Sequence, residues 1–92
     1  MISIRLIMPR EVVYSREAQK SPDHMDAASN ARIREKADLL AHDPDALSNN
    51  VMRLKGTEGL WRLRVGDWRV VYSETLVVLR IIRVAPRGGV YD

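Results

Sequence analysis

The stretch that decides the fold is Leu60-Trp61-Arg62-Leu63-Arg64-Val65-Gly66-Asp67-Trp68-Arg69-Val70-Val71-Tyr72. Apolar and polar residues alternate on both sides of Gly66-Asp67, which is typical of two antiparallel strands joined by a two-residue turn. Glycine in the first turn position favours a type II′ turn. The sequence therefore predicts a β-hairpin in which Val65 lies opposite Trp68 and Trp61 lies opposite Tyr72.

This register divides the hairpin into two faces, because directly opposed residues of paired strands point the same way. One face should cover a core, since it carries Trp61, Leu63, Val65, Trp68, Val70 and Tyr72. The other face gathers Arg62, Arg64 and Arg69 beside Val71. Opposed like charges destabilise a strand pair by up to about 1 kcal/mol. The arginines therefore predict either an anion from outside as their partner or, as on many polar strand faces, simple solvation.

Composition limits the class of protein. The chain has 92 residues, 46% of them hydrophobic, so we expect one domain over residues 1–92 with a modest core, in which residues 1–10 are an extra strand or a mobile arm. It contains no cysteine, which excludes disulfide scaffolds, thiolate metal sites and thiol catalysis. The opening residues are too few for a signal peptide and no apolar run reaches the length of a membrane span. We predict a cytoplasmic protein that uses no metal and no cofactor.

Positive charge is concentrated in the second half of the chain. The net charge is +3 and the pI is about 9.7. Residues 1–50 carry a net charge of −1, whereas residues 51–92 carry +4. Because the basic half contains the hairpin, we expect a polyanion-binding face on the sheet.

The first half predicts a strand and two helices. Val12-Val13-Tyr14 has the β-branched and aromatic content of a strand, and Ser15 can cap a short helical turn that runs to Lys20. Ser21-Pro22-Asp23 is typical of a helix start, so we expect a long helix from about Pro22 to Ala41, stopped by Asp43-Pro44. The three- and four-residue spacing of apolar and small side chains predicts its buried stripe: Met25, Ser29, Ile33, Ala37, Leu40 and Ala41.

The second half predicts two more strands around the hairpin. Val51 to Lys55 alternates and should be a strand that ends at Gly56. After Tyr72, the polar residues Ser73-Glu74-Thr75 predict a turn, and the apolar run from Leu76 to Ile82 predicts a strand that is covered on both faces or lies in the middle of the sheet.

In this order of elements the sequence resembles the RelE/ParE superfamily of bacterial toxins from toxin–antitoxin pairs. The resemblance covers about Val12 to Tyr91, and three segments carry it: Leu54-Lys55-Gly56, the stretch from Trp61 to Tyr72, and the terminal Arg87 and Tyr91. It implies an α+β fold, with a small curved antiparallel sheet and one or two N-terminal helices packed on one face. In the RelE-like branch it also implies ribosome-dependent cleavage of mRNA, whereas ParE-like members poison DNA gyrase without being enzymes.

By motif, the resemblance places the catalytic positions of RelE-like toxins on Arg62, Arg64, Arg69, Arg87 and Tyr91. Arg53, Lys55, Arg80 and Arg83 are then expected to bind RNA. Arginine suits the charge of a phosphate but is a poor proton acceptor, because its guanidinium group carries five N–H donors and no acceptor atom. Tyr91 is therefore the candidate for proton transfer, or else for stacking on a nucleobase.

Three functions remain open from the sequence. An mRNA endoribonuclease accounts for the arginines and Tyr91 together, a gyrase-directed toxin needs only the fold and a basic surface, and a general nucleic-acid-binding module accounts for the pI alone. In either toxin function the expected partner is an acidic antitoxin with a segment that folds on binding. The RNA-cleaving function adds the ribosome and mRNA as partners.

Overall fold

The computed structural model describes residues 9–20 and 25–88. The predicted arm over residues 1–8 and the predicted helix start at Ser21-Pro22-Asp23 lie outside them. The elements, in chain order, are β1 (Glu11–Tyr14), α1 (Arg16–Gln19), α2 (Ala27–His42), a 3₁₀ turn (Ser48–Asn50), β2 (Val51–Arg53), β3 (Trp61–Val65), β4 (Trp68–Glu74) and β5 (Val78–Pro86). No helix in the described residues is long and apolar enough to cross a membrane.

The five strands form one sheet in the order β1-β5-β4-β3-β2. Neighbouring strands from β2 to β5 are antiparallel, whereas β1 runs parallel to β5. Buried residues of both helices and of one sheet face form the core. The predicted α+β fold with helices on one face is confirmed, although the sheet is mixed rather than wholly antiparallel, because the chain reverses direction an even number of times between β1 and β5 and these two neighbours therefore run parallel.

The hairpin between β3 and β4 has the register that the sequence predicts. Val65 pairs with Trp68, and the remaining pairs follow in step to Trp61 with Tyr72. Gly66 has φ +59°, a conformation that glycine adopts without strain. Asp67 does not have a positive φ, which excludes a type I′ turn and agrees with type II′. Every residue on the predicted core face belongs to the core or packs against it.

Both helices start at side-chain caps. The Ser15 hydroxyl accepts from the Ala18 amide (3.0 Å), as predicted for α1. The Asp26 carboxylate accepts from the Ser29 amide (2.9 Å), so α2 begins at Ala27. The prediction that Met25 and Asp26 are helical is therefore wrong, because Asp26 is the cap. The predicted end is confirmed at Asp43, and the predicted stripe is buried at Ile33, Ala37, Leu40 and Ala41.

The turn between β4 and β5 lies later than predicted. β4 continues through Ser73 and Glu74, and the Thr75 hydroxyl accepts from the amides of Val77 and Val78. The apolar Leu76 and Val77, predicted to start a strand, are 92% and 69% exposed. The Thr75 side chain thus stabilises a turn at Leu76 and Val77, where the apolar pattern predicts a strand, because its hydroxyl accepts hydrogen bonds from the amides of the turn.

Arg10 ties the end of α2 to the sheet. Its guanidinium donates to the Leu40 carbonyl (2.5 Å) and to the Ala41 carbonyl (3.5 Å), and it forms an ion pair with Glu74. The last carbonyls of a helix lack intrahelical donors and carry the negative end of its dipole. Arg10 therefore supplies hydrogen-bond donors to the last carbonyls of α2 and fixes the position of this helix over β4.

The buried phenol of Tyr72 makes the free energy of unfolding depend on pH in the alkaline range. It is 1% exposed, and burial raises the pKa of its phenol, with Glu74 adding to the rise and Arg10 opposing it. Above about pH 10 the unfolded chain releases this proton while the folded chain keeps it, so the free energy of unfolding falls as the pH rises. We expect Tyr72→Phe, which keeps the ring, to make this decline shallower by up to about 1.4 kcal/mol per pH unit. Urea unfolding across this range measures it, and identical slopes for parent and variant would contradict the assignment.

Candidate functional site

The face of the hairpin turned away from the helices is not simply solvated. Arg62 is 8% exposed and Arg69 is 6% exposed, whereas Arg64 is exposed. Arg69 lies between Arg64 on β3 and the small, buried Ala85 on β5, which leaves room for its long side chain. The expectation of a merely wet face is therefore wrong for two of the three hairpin arginines.

Arg69 holds the hairpin turn. Its Nη1 donates to the carbonyl of Gly66 (2.9 Å) and to the carbonyl of Trp68 (3.0 Å). A buried guanidinium is strongly destabilised unless hydrogen bonds replace its lost water, and these turn carbonyls supply part of that replacement. Arg69 thus fixes the conformation of the turn that carries the neighbouring functional groups.

Arg62 joins the edge of the sheet to the segment before it. Its Nη1 donates to the Asn50 carbonyl (3.3 Å), and its Nη2 lies 2.8 Å from the sulfur of Met52. Asn50 ends the 3₁₀ turn directly before β2, and Met52 is the middle residue of this three-residue strand. Arg62 therefore helps to hold this short edge strand against β3.

Arg64 and Arg87 are exposed at one end of the sheet. The Arg87 amide donates to the Asp67 carbonyl (2.7 Å), so the end of β5 is fastened to the hairpin turn. Arg64 lies two residues before Gly66, on the strand that enters the same turn. We call the part of the sheet formed by residues 64–69 and by Arg87 the hairpin tip. Tyr91, four positions beyond Arg87 in sequence, lies outside the described residues.

The four side chains expected to bind RNA are spread over the sheet. Arg53 and Lys55 are exposed near the end of β2 that lies away from the tip, and the Arg53 guanidinium lies 5.9 Å from the centre of the Trp61 ring. Arg80 is exposed near the start of β5. Arg83 forms an exposed ion pair with Glu17 (3.6 Å). The structure does not bring these four together with Arg64 and Arg87.

Two basic residues of α2 that are not part of its predicted buried stripe lie beside the hairpin tip. Arg32 and Lys36 of α2 line a cleft of about 270 Å³ together with Arg64 and Gly66. A Cβ added at Gly66 would be 3.5 Å from Nη1 of Arg32. Their four-residue spacing could have marked them as a pair on one side of the helix, but only the packing of α2 shows what they face.

The described residues contain no cluster of three or more histidine, aspartate or glutamate side chains that could hold a metal ion. Apart from the Asp67 carboxylate, the charged groups of the tip and of the cleft beside it are the guanidinium groups of arginine and the ammonium group of Lys36. Such groups bind anions and stabilise developing negative charge, and guanidinium can contact two oxygens of one phosphate.

Comparison with known families identifies the chain. The family model described as ParE toxin of type II toxin–antitoxin system, parDE, matches residues 12–91. The chain belongs to the RelE/ParE superfamily of toxins. The predicted resemblance is confirmed, and the protein is the toxin component of a toxin–antitoxin system.

Solved structures of RelE/ParE toxins share this fold. The chain is 31% identical to a chain of the RelE–RelB complex from Pyrococcus horikoshii, covering 89% of this chain and 99% of the other, with a TM-score of 0.72. It is 21% identical to one in the RelBE2 complex of Mycobacterium tuberculosis, covering 87% and 100%, with a TM-score of 0.71. It is 20% identical to one in the E. coli DinJ–YafQ complex, covering 92% and 100%, with a TM-score of 0.69. A comparison with curated proteins gave no match.

The contacts of Arg69 change what its removal should do to this toxin. From register alone, deleting one of two opposed charges leaves stability unchanged or slightly higher. Because Arg69 is buried and donates to two turn carbonyls, we now expect Arg69→Ala to lower the free energy of unfolding by about 1.5–3 kcal/mol. Urea unfolding at neutral pH measures the change.

The matched control is Arg64→Ala, which removes the opposed and exposed member of the same pair. It should stay within about 0.5 kcal/mol of the parent, as substitutions of exposed residues usually do. An Arg69→Ala protein as stable as the parent would show that the turn does not depend on this side chain.

Proposed function

We propose that the protein is a ribosome-dependent endoribonuclease that cleaves mRNA and so stops translation. The observation that carries the proposal is the exposure of Arg64 and Arg87 at the hairpin tip, two positions that match the motif of RelE-like toxins. In the proposed reaction the 2′-hydroxyl attacks the adjacent phosphorus, and the 5′ oxygen of the next nucleotide leaves.

This reaction needs a proton acceptor, stabilisation of the charge on the phosphorane, and a proton donor for the leaving oxygen. Arg64 and Arg87 are proposed to contact the phosphate, because exposed guanidinium groups stay charged and match its oxygens. Arg62 and Arg69 are proposed to act at one remove, because their guanidinium groups bind the turn and the edge strand. They are positioning residues in this proposal rather than substrate contacts.

Tyr91 is proposed to transfer the proton. No histidine or carboxylate accompanies the arginines on the basic face of the hairpin, and a phenol near cationic groups has a lowered pKa. Such a site is poorly equipped to act on free RNA. The ribosome would supply what is missing by holding the message in a reactive geometry, which is worth several kcal/mol in favourable cases.

A second candidate function is inhibition of DNA gyrase. The family model that matches the chain is that of ParE toxins, and gyrase inhibition needs no catalytic group. The two candidates differ in their dependence on single side chains at the tip, because a binding surface loses less than a reaction centre when one donor is removed.

An acidic antitoxin is the proposed partner in both cases. The similar RelE and YafQ chains were solved in complexes with RelB and DinJ. The excess of positive charge in residues 51–92 favours an acidic partner segment that orders on binding. The proposed site of action, on ribosomes and mRNA, places the toxin in the cytoplasm.

We expect Arg64→Ala to reduce cleavage on translating ribosomes by about 10²- to 10³-fold, the cost of removing one preorganised donor from a transition state. The control is Arg16→Ala, which removes the same charge from the exposed surface of α1 and should cut normally. The assay maps mRNA ends after the toxin is added to a purified translation system. Intact mRNA together with gyrase-linked DNA breaks would favour the second candidate.

We expect Tyr91→Phe to lower the rate of cleavage by about 10²-fold or more, because the substitution removes only the hydroxyl. Ribosome binding should be unchanged, since the ring is kept. Single-turnover cleavage and a sedimentation assay with ribosomes separate the two effects. Activity within a few-fold of the parent would reassign Tyr91 to stacking on a base.

A further inference from the structure

The cleft between α2 and β3 carries positive charge that the proposed reaction does not use. Its walls are Arg32, Lys36, Leu47, Asn50 and residues 63–66, and none of them is acidic. Neither Arg32 nor Lys36 forms an ion pair with a described carboxylate. Asp67 lies on the other side of Arg32, where it lines an adjoining cleft with Ser29 and Trp68. Two cations thus face one cleft that holds no counter-charge among its lining residues.

The backbone of β3 adds a donor to the same cleft. Pairing between β2 and β3 stops at Val51 with Leu63, so Arg64 has no strand partner on that side. The Leu54 amide donates to the Leu60 carbonyl, which shows that every second residue from Leu60 turns its backbone groups toward β2. By this alternation the Arg64 amide points into the cleft, where the ladder has ended.

The cleft and the exposed arginines lie on two different sides of the hairpin tip. The register places the Arg64 side chain on the face turned away from the helices, and Arg64 is also one of the residues that line the cleft. An extended nucleotide strand held at Arg64 and Arg87 would need only a short step to pass from one side to the other. The cavity offers three kinds of hydrogen-bond donor: a guanidinium, an ammonium and a backbone amide. Such donors suit the two non-bridging oxygens of a phosphodiester.

We infer that the cleft formed by Arg32, Lys36 and the open edge of β3 binds a backbone phosphate of single-stranded RNA next to the cleaved linkage. The inference rests on the proposed function for its ligand and adds a second phosphate site, on another face of the tip. It makes Arg32 and Lys36 determinants of RNA position rather than catalytic residues. It also explains why two long cationic side chains lie beside a glycine, Gly66, at which an added Cβ would contact Arg32.

The test measures RNA binding apart from cleavage. The probe is a fluorescein-labelled RNA of about ten nucleotides, a length typical of single-strand sites, with 2′-O-methyl riboses that prevent cutting. Anisotropy titrations at several salt concentrations compare the parent with Arg32→Ala/Lys36→Ala. The control is Arg16→Ala/Lys20→Ala, which removes the same two charges at the same spacing from exposed positions, Arg16 in α1 and Lys20 directly after it. Alanine favours helix at the helical positions and Lys20 is exposed, so both variants should fold.

We expect the α2 variant to bind the probe about tenfold more weakly near 50 mM salt, with the slope of log K against log salt reduced by about 1 for each lost phosphate contact. The α1 control should keep the parent's slope. Equal slopes for the α2 variant and the control would overturn the inference, and so would a parent that does not bind the probe. Weaker binding of poly-glutamate with unchanged binding of RNA would also overturn it, because the cleft would then serve an acidic protein segment.

Cleavage of mRNA on ribosomes, measured with the same proteins, decides the proposed function independently. If the parent cuts mRNA and the α2 variant cuts it with unchanged KM and kcat, the proposed function stands and the cleft has no part in it. If the parent binds the probe through the cleft but leaves mRNA intact, the phosphate site stands and the proposed nuclease activity is wrong. We expect the α2 variant to raise KM with little change in kcat, as for lost uniform binding.

Discussion

The two-residue turn at Gly66-Asp67 is the constraint on which the rest of the structure depends. Side chains alternate with a period of two along a strand, so a slip of one residue would exchange the two faces of the hairpin. Leu63 and Val70, which are 0% exposed under the helices, would then point away from the core. Arginine side chains would then point into the core in place of Leu63 and Val70. The left-handed φ of Gly66 and the bonds from Arg69 to the turn oppose that slip, and the apolar contacts with α2 make it costly.

The burial of Arg62 and Arg69 shows how one face serves both fold and function. A guanidinium removed from water is unfavourable unless protein acceptors replace the solvent. Main-chain carbonyls at the turn and before β2 do so here. The repulsion expected between Arg64 and Arg69 is relieved because one side chain turns inward and the other stays in water. Two arginines thereby support the scaffold, whereas Arg64 and Arg87 stay exposed at the hairpin tip.

Local patterns account for what the sequence could predict. The hairpin register follows from alternation around a glycine, and the buried stripe of α2 follows from helical spacing, so neither needs knowledge of distant residues. The burial of Arg69 could not be predicted in this way, because it depends on Ala85, brought opposite after an irregularity in the pairing of β4 with β5 near Val71. The position of Arg32 was missed for a similar reason. Its contact with the tip depends on the placement of α2, which Arg10 and the core set together.

The division of the arginines also bears on how the toxin would work. Fold similarity cannot separate an RNA-cleaving toxin from a gyrase-directed one, since both share this architecture and function is carried by the site. If the tip cleaves RNA, its exposed guanidinium groups can stabilise negative charge but offer no proton acceptor. The proton must then pass to Tyr91, to solvent or to a group of the ribosome. An enzyme with strong electrostatic stabilisation and weak proton transfer gains most from a partner that holds its substrate in line, and this is the physical reason for proposing that the toxin depends on the ribosome.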